Sequence, residues 1–155
     1  MDRTHLELKI PPVLVTIGFA LLIWLVSLWL PGMTIPQNVR LAMLVILLGL
    51  SALISISGLV SFRLARTTVN PIRPGASSSL VTTGIYRMTR NPMYLGLLLL
   101  LVALVVFLSN PYGLALCAVY VLYMNWFQIG PEEEALQSSF GEDYSSYRAR
   151  VRRWL

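Results

Sequence analysis

An all-α bundle of membrane-spanning helices is the fold class this sequence predicts, and three observations carry the prediction. The 155 residues are 56% hydrophobic and 12% charged, against roughly 25% charged in soluble domains. The apolar residues gather into four long runs, and no acidic residue occurs between Glu7 and Glu132. A chain of this length makes one domain, here an integral membrane helical bundle of four transmembrane helices followed by an amphipathic one.

The first run, Val13 to Leu30, follows Pro11 and Pro12 and is long enough to span. It exceeds a usual signal-peptide core and no small-x-small cleavage site follows it, so it is expected to remain as a helix ended by Pro31 and Gly32. The second run, Val39 to Phe62, carries Gly49, Ser51, Ala52, Ser55, Ser57, Gly58 and Ser61. Small residues at three- and four-residue spacing favour close helix packing in lipid. From Arg63 to Arg90 the chain leaves the hydrocarbon as a loop holding five arginines. The third and fourth runs, Met93 to Leu108 and Tyr112 to Phe127, are joined by Ser109, Asn110 and Pro111, a link that forces an antiparallel hairpin. Each arm has 16 residues, about 24 Å against a hydrocarbon core of about 30 Å, so both should extend into their polar flanks. Gly130 is placed to end the fourth span and Pro131 to open the next helix. In that last helix, Glu132 to Arg153, Leu136, Phe140, Tyr144, Tyr147 and Val151 recur at helical spacing, giving an amphipathic helix or one interrupted near Gly141. The stripe should pack, and the trailing Arg148, Arg150, Arg152, Arg153 and Trp154 suit an anionic membrane surface.

Two of the Lys and Arg residues lie at the N-terminus, five in the long loop and four at the C-terminus, against Arg40 alone on the other side. The positive-inside rule then puts both termini in the cytoplasm of a multi-pass protein. The net charge of +5 points to membrane lipid headgroups as partners and not to nucleic acid, since the basic residues flank apolar runs and no reading module is visible. Cys117, the single cysteine, excludes an intrachain disulfide and a cysteine-based metal cluster and should be a small core residue. His5 is equally alone, so a metal site is not expected. Trp24 and Trp29 should face lipid or its interface, and Tyr120, Tyr123 and Trp126 should be interfacial or line a pocket.

Two polar stretches break this apolar background: LVTTGIYRMTRNPMYLG, residues 80 to 96, and PEEEALQSSFGEDYSSY, residues 131 to 147, with five of the seven acids. Asn91 and Pro92 have the residue types of an N-cap and a first helical position. Around them lie Tyr86, Arg87, Thr89, Arg90 and Tyr94, and a helix N-terminus beside two arginines suits a carboxylate or phosphate. Glu132, Glu133 and Glu134 favour the dipole of the helix they open. Three adjacent carboxylates also repel one another, and Arg90 or the cationic and hydroxyl groups of a ligand would relieve them. Read together, the two stretches predict an active site at one membrane face.

At these residues the chain resembles the isoprenylcysteine carboxyl methyltransferase family of integral membrane enzymes, which is itself similar to the phospholipid N-methyltransferases. The family form L-V-T-x-G-x-Y followed by R-H/N-P-x-Y-x-G is met by Leu80, Val81, Thr82, Gly84, Tyr86, Arg90, Asn91, Pro92, Tyr94 and Gly96. The form E-E-x-x-L-x-x-x-F-G-x-x-Y-x-x-Y is met by Glu132, Glu133, Leu136, Phe140, Gly141, Tyr144 and Tyr147. The resemblance covers roughly residues 78 to 153 and makes residues 1–62 a two-helix scaffold and 63–155 the cofactor-binding core. It implies S-adenosylmethionine as cofactor, bound without a Rossmann fold by Ser79, Leu80, Val81, Tyr86, Asn91, Pro92, Met93, Tyr94, Glu132 and Glu133. Where the prenylcysteine enzymes present a substrate-binding Arg, one turn before the first Glu, this chain has Gln128, which offers no charged fork to a carboxylate.

The expected activity is methyl transfer to a lipophilic acceptor that enters from the bilayer, with Arg90 and Glu132 as the candidate catalytic residues. Arg90 would steady a carboxylate of cofactor or substrate, and Glu132 would hold the cofactor's ribose hydroxyls or amino group. Carboxyl O-methylation of a prenylcysteine-like molecule is the first expectation, and N-methylation of a phospholipid amine or S-methylation of a thiol the alternatives. Outside this class stand a lipid reductase using a nicotinamide cofactor and a non-catalytic protein that binds lipid or a partner.

Overall fold

The computed structural model describes residues 10–65 and 79–155. His5, Arg3, Lys9, Arg66 and Arg73 lie outside them. Helix α1 runs Pro12–Trp29, α2 Gln37–Leu64, α3 Pro92–Leu108, α4 Gly113–Met124 and α5 Gly130–Arg150. A 3₁₀ turn, Gly84–Arg87, precedes α3, and a π turn, Asn125–Ile129, joins α4 to α5. The fold is thus helical throughout the described residues. Among the described residues three helices are long and apolar enough to cross a membrane: α1, α2 and the continuous helix from Gly113 to Arg150. Helix α3 is equally apolar but has 17 residues.

Proline sets several of these boundaries. Pro12 and Pro92 occupy first-turn positions, where a missing N–H leaves nothing unsatisfied. Leu30, before Pro31, is extended at φ −106°, ψ 143°, as the proline ring requires of its predecessor. Pro131 behaves differently from the expectation that Gly130 and Pro131 separate two helices. The Gly130 amide instead reaches back five residues to the Asn125 carbonyl, and the chain stays helical. The wide turn supplies the room that a proline inside an α-helix lacks, and Gly130 suits it because a Cβ there would meet the Asn125 carbonyl at 3.1 Å.

The core lies between α1, α3 and α4, where Val15, Ile23, Tyr94, Leu101, Val105, Cys117, Tyr120 and Met124 are buried. Tyr120 is therefore interior, its hydroxyl 3.1 Å from Thr16 Oγ1, whereas Trp126, Trp24 and Trp29 are exposed on the apolar surface. Helix α2 packs on the far side of α3 through its small residues. Ser51 Oγ donates to the Gly96 carbonyl at 2.8 Å, and Pro92 Cγ lies 3.2 Å from where a Cβ on Gly58 would sit. Between two lipid-solvated helices close backbone approach is the chief source of attraction. Gly49 and Ala52 do not share in it, being exposed.

The hairpin link sits at one end of the bundle. Ser109 is left-handed at φ 50°, its carbonyl accepts the Met33 amide at 2.6 Å, and Asn110 Nδ2 donates to the Leu30 carbonyl at 3.0 Å. At the opposite end gather the start of α1, the end of α2, the start of α3 and α5. Here Leu136, Phe140, Tyr144, Tyr147 and Val151 pack against Phe62, Leu80, Val81 and Tyr86, as the helical spacing predicts. Gly141 interrupts α5 at φ 51°, ψ −121°, a conformation that favours glycine. The helix ends at Arg150 and not at Arg153: Val151 is extended, and the last residues fold back over the start of α3.

Candidate active site

The turn from Thr89 to Asn91 delivers the polar residues of the first motif to the start of α3. Arg87 and Arg90, expected to act as a pair, part here: the 3₁₀ turn leaves Arg87 exposed while Arg90 turns inward. Asn91 occupies the N-cap position without capping α3 through its side chain. Its Nδ2 donates instead to the Arg153 carbonyl at 3.0 Å, and its amide donates to Thr89 Oγ1 at 3.2 Å. Pro92 and Met93 pack on α2 at Gly58.

The first turn of α5 meets this group from the other side. Tyr94 donates its hydroxyl hydrogen to Glu132 Oε1. Glu132 lies beyond the apolar part of its helix, and its carboxyl is pushed up to about 7, mainly by burial; the Glu133 charge adds to the rise and the Tyr94 hydrogen bond opposes it. Tyr86 is buried nearby, its hydroxyl held well above the usual tyrosine range by burial and then by the charges of Tyr147 and Glu132. Its carbonyl accepts from the Tyr147 hydroxyl at 2.8 Å.

Arg90 was expected to relieve the glutamates as a group, and its partner is Glu133. Arg90 Nη1 lies 3.0 Å from Glu133 Oε1 and donates to the Tyr144 hydroxyl at 3.2 Å. Glu133 is buried at 7% exposure and is also gripped by Arg153, through Nη2 at 2.5 Å and Nε at 3.1 Å. Both Glu133 oxygens are thus engaged by arginines, while Glu132 alone faces Tyr94. Arg90 Nε is buried and has no hydrogen-bond partner among the described residues. Such an orphan donor is costly, and it marks where an acceptor from a ligand would be welcome.

The remaining expected residues stand at the margin. Val81 is buried against Tyr86, with Leu80 packed beside it, and Ser79 Oγ donates to the Ala65 carbonyl at 3.3 Å. Gln128 falls in the π turn, buried at 1% exposure, with Nε2 donating to the Ile10 carbonyl at 2.8 Å. A substrate would reach its Nε2 only by displacing that bond. Sequence reasoning placed Thr89 in the polar cluster but missed Tyr144 and Arg153 as site residues. Tyr144 belongs to a stripe that reads as packing, and Arg153 stands 20 residues beyond Glu133, where no helical spacing connects them.

A free N–H on a buried guanidinium suits a carboxylate, and a carboxyl able to ionise near neutrality suits an ammonium or hydroxyl group. The phospholipid methyltransferase family matches residues 39–143, from α2 into α5. Protein-S-isoprenylcysteine O-methyltransferase B of Arabidopsis thaliana is 38% identical over 80 residues, 52% of this chain and 41% of that protein. An uncharacterized protein of Haemophilus influenzae is 44% identical over 63 residues, 41% of this chain and all of that protein. The matched stretch thus spans less than half of the Arabidopsis enzyme's length.

Proposed function

Because the chain belongs to the phospholipid methyltransferase family, we propose that it is a four-span membrane methyltransferase that takes S-adenosylmethionine at the Tyr94–Glu132–Arg90 site and methylates a lipophilic acceptor. The observation that carries the reading is the buried, unpartnered Arg90 Nε, two residues before α3, with the Tyr94–Glu132 hydrogen bond tying the first turn of that helix to the first turn of α5. Together they match the two charged ends of an amino-acid group. Tyr86, Val81 and the start of α3 would line the rest of the cofactor site, with Ser79 and Leu80 at its edge. Glu133 contributes by holding Arg90. Four spans with both ends on one side are supported by the gathering of α1's start, the start of α3 and α5 at one end of the bundle, opposite the Ser109–Pro111 link, and the Lys and Arg bias of the sequence supports a cytoplasmic side for that end.

When bound, S-adenosylmethionine supplies a methyl group on a sulfonium, whose C–S bond breaks as the acceptor oxygen forms its bond to carbon, leaving a neutral thioether. A carboxylate pressed on the sulfonium would favour the ground state, where the positive charge is greatest, and slow the step. Glu132 therefore serves binding: it holds hydroxyl or amino hydrogens while Tyr94 fixes its orientation. Arg90 steadies a carboxylate, and alignment of the two reactants supplies most of the rate, a contribution worth about 7 to 11 kcal/mol in well-oriented systems. An acceptor carboxylate brings no proton to remove, so this reading requires no general base.

Carboxyl O-methylation of a prenylcysteine-like acceptor is the reaction named first, supported by the resemblance to the Arabidopsis enzyme. Amine methylation on a phospholipid is the second reading, favoured by the uncharged Gln128 and by the family match. The test is transfer of labelled methyl from S-adenosylmethionine to a prenylated cysteine analogue, an aminophospholipid and a hydrophobic thiol, with Gln128→Arg run alongside. Preference for the prenylcysteine analogue supports the first reading and preference for the aminophospholipid the second. Labelling of none of the three would sink the assignment to lipophilic acceptors. Best turnover of the prenylcysteine analogue, with no change in Gln128→Arg, would show that position 128 does not set specificity.

A further inference from the structure

The family match ends at residue 143, yet the turn that presents Arg90 and Asn91 is held by the last residues of the chain. The Arg152 carbonyl accepts the Arg90 amide at 3.0 Å. The Arg153 carbonyl accepts Asn91 Nδ2 at 3.0 Å and Thr89 Oγ1 at 3.3 Å. Trp154 Nε1 and Arg153 Nη1 both donate to Asn125 Oδ1, at 3.0 and 3.3 Å, anchoring the tail on the π turn. From that anchored position the Arg153 guanidinium meets Glu133 with two nitrogens.

We propose that Arg153 is a positioning residue which, through Glu133, sets the Arg90 guanidinium to receive the carboxylate of S-adenosylmethionine; this rests on the cofactor reading above. A two-point arginine–carboxylate contact fixes the plane of the carboxylate as well as its distance. With that plane set, Glu133 Oε1 holds Arg90 by Nη1, and Tyr144 takes a second bond from the same nitrogen. The Nε edge is then the part of the guanidinium left for a ligand. The docking of α5 does not need this contact, because Leu136, Phe140, Tyr144 and Tyr147 already pack on Val81 and Tyr86, and the Arg153 side chain is 31% exposed. A lysine would restore the charge but not the fork.

The experiment uses the full chain in lipid nanodiscs and titrates two probes by calorimetry: S-adenosylmethionine, and 5′-methylthioadenosine, which lacks the amino-acid end. Arg153→Ala is expected to weaken S-adenosylmethionine roughly tenfold, the scale of one charge-assisted hydrogen bond, and to leave 5′-methylthioadenosine unchanged. Arg153→Lys should recover only part of the loss, and Arg148→Ala, at an exposed arginine of α5, should show none of these effects. General damage to the fold would weaken both probes together and overturn the proposal, as would wild-type affinity for S-adenosylmethionine in Arg153→Ala. If the alanine variant does not fold, Arg153→Lys decides: affinity equal to wild type overturns the proposal, and a selective loss for S-adenosylmethionine supports it. A wild-type protein that binds neither probe would refute the cofactor reading and this inference with it, an outcome distinct from normal wild-type binding with an unaffected Arg153→Ala.

Discussion

Replacing Glu133 by Gln keeps the volume of the side chain and removes one charge from the centre of the site. Glu133 has a side chain 8% exposed, and its carboxylate lies 3.0 Å from Arg90 and 2.5 Å from Arg153. Removing one partner of a buried ion pair costs about 3–5 kcal/mol, because the other charge stays buried without compensation. Here the two arginines differ: the Arg153 side chain is 31% exposed and can turn to water, whereas Arg90 is 10% exposed and cannot. One stranded guanidinium places the expected loss near the lower end, about 3 kcal/mol. The assay is reversible unfolding in mixed micelles, with the exposed Glu134→Gln as a control expected to stay within about 0.5 kcal/mol. A loss for Glu133→Gln below about 1 kcal/mol, the worth of an exposed pair, would refute the claim that this charge cluster is buried and structurally committed.

Three further outcomes are expected. Gly96→Val should destabilise by at least 1–3 kcal/mol, since even a Cβ there would fall 2.0 Å from Ser55 Oγ and 3.2 Å from the Ser51 carbonyl; unfolding in micelles reads it, and wild-type stability would contradict the α2–α3 packing. Because the Glu132 carboxyl is raised to about 7 in the fold from an ordinary value of 4.5, its protonation stabilises the ligand-free protein fully below pH 4.5. That stabilisation is lost as pH rises through about 7, so the downward slope of stability between those limits should lessen in Glu132→Gln. Tags at both termini should share one protease sensitivity in sealed vesicles, and opposite sensitivities would mean an odd number of spans.

The apolar elements were legible because their causes are local. Run length and proline placement predict α1, α2 and α3 to within two residues at each end, and the serines and glycines of α2 announce the face that meets α3. The helical spacing of Leu136, Phe140, Tyr144 and Tyr147 likewise identified a packing stripe before its partners were known. The site was legible as two motifs but not as a set of pairs. Whether Arg87 or Arg90 turns inward depends on the 3₁₀ turn at Gly84–Arg87, which residue types alone do not specify. Pro131 reads as the start of a helix, and only the long reach of the Gly130 amide to Asn125 lets one helix run through it. The tail was invisible for another reason: two of its principal contacts are the backbone carbonyls of Arg152 and Arg153, acceptors that every residue carries.

The central claim is that Tyr94 and Glu132 form one wall of an S-adenosylmethionine site, and equilibrium binding of that cofactor to Tyr94→Phe and Glu132→Gln in nanodiscs tests it most directly. Both variants keep shape and remove one group each from the hydrogen bond that joins α3 to α5. The account predicts a folded protein in each case with cofactor affinity reduced, more in Glu132→Gln than in Tyr94→Phe, since on this account the carboxyl would touch the ligand and the phenol would orient it. Full affinity in both variants would contradict the site as described, and loss of fold with unchanged affinity in the surviving protein would reduce Glu132 to a structural role at the start of its helix.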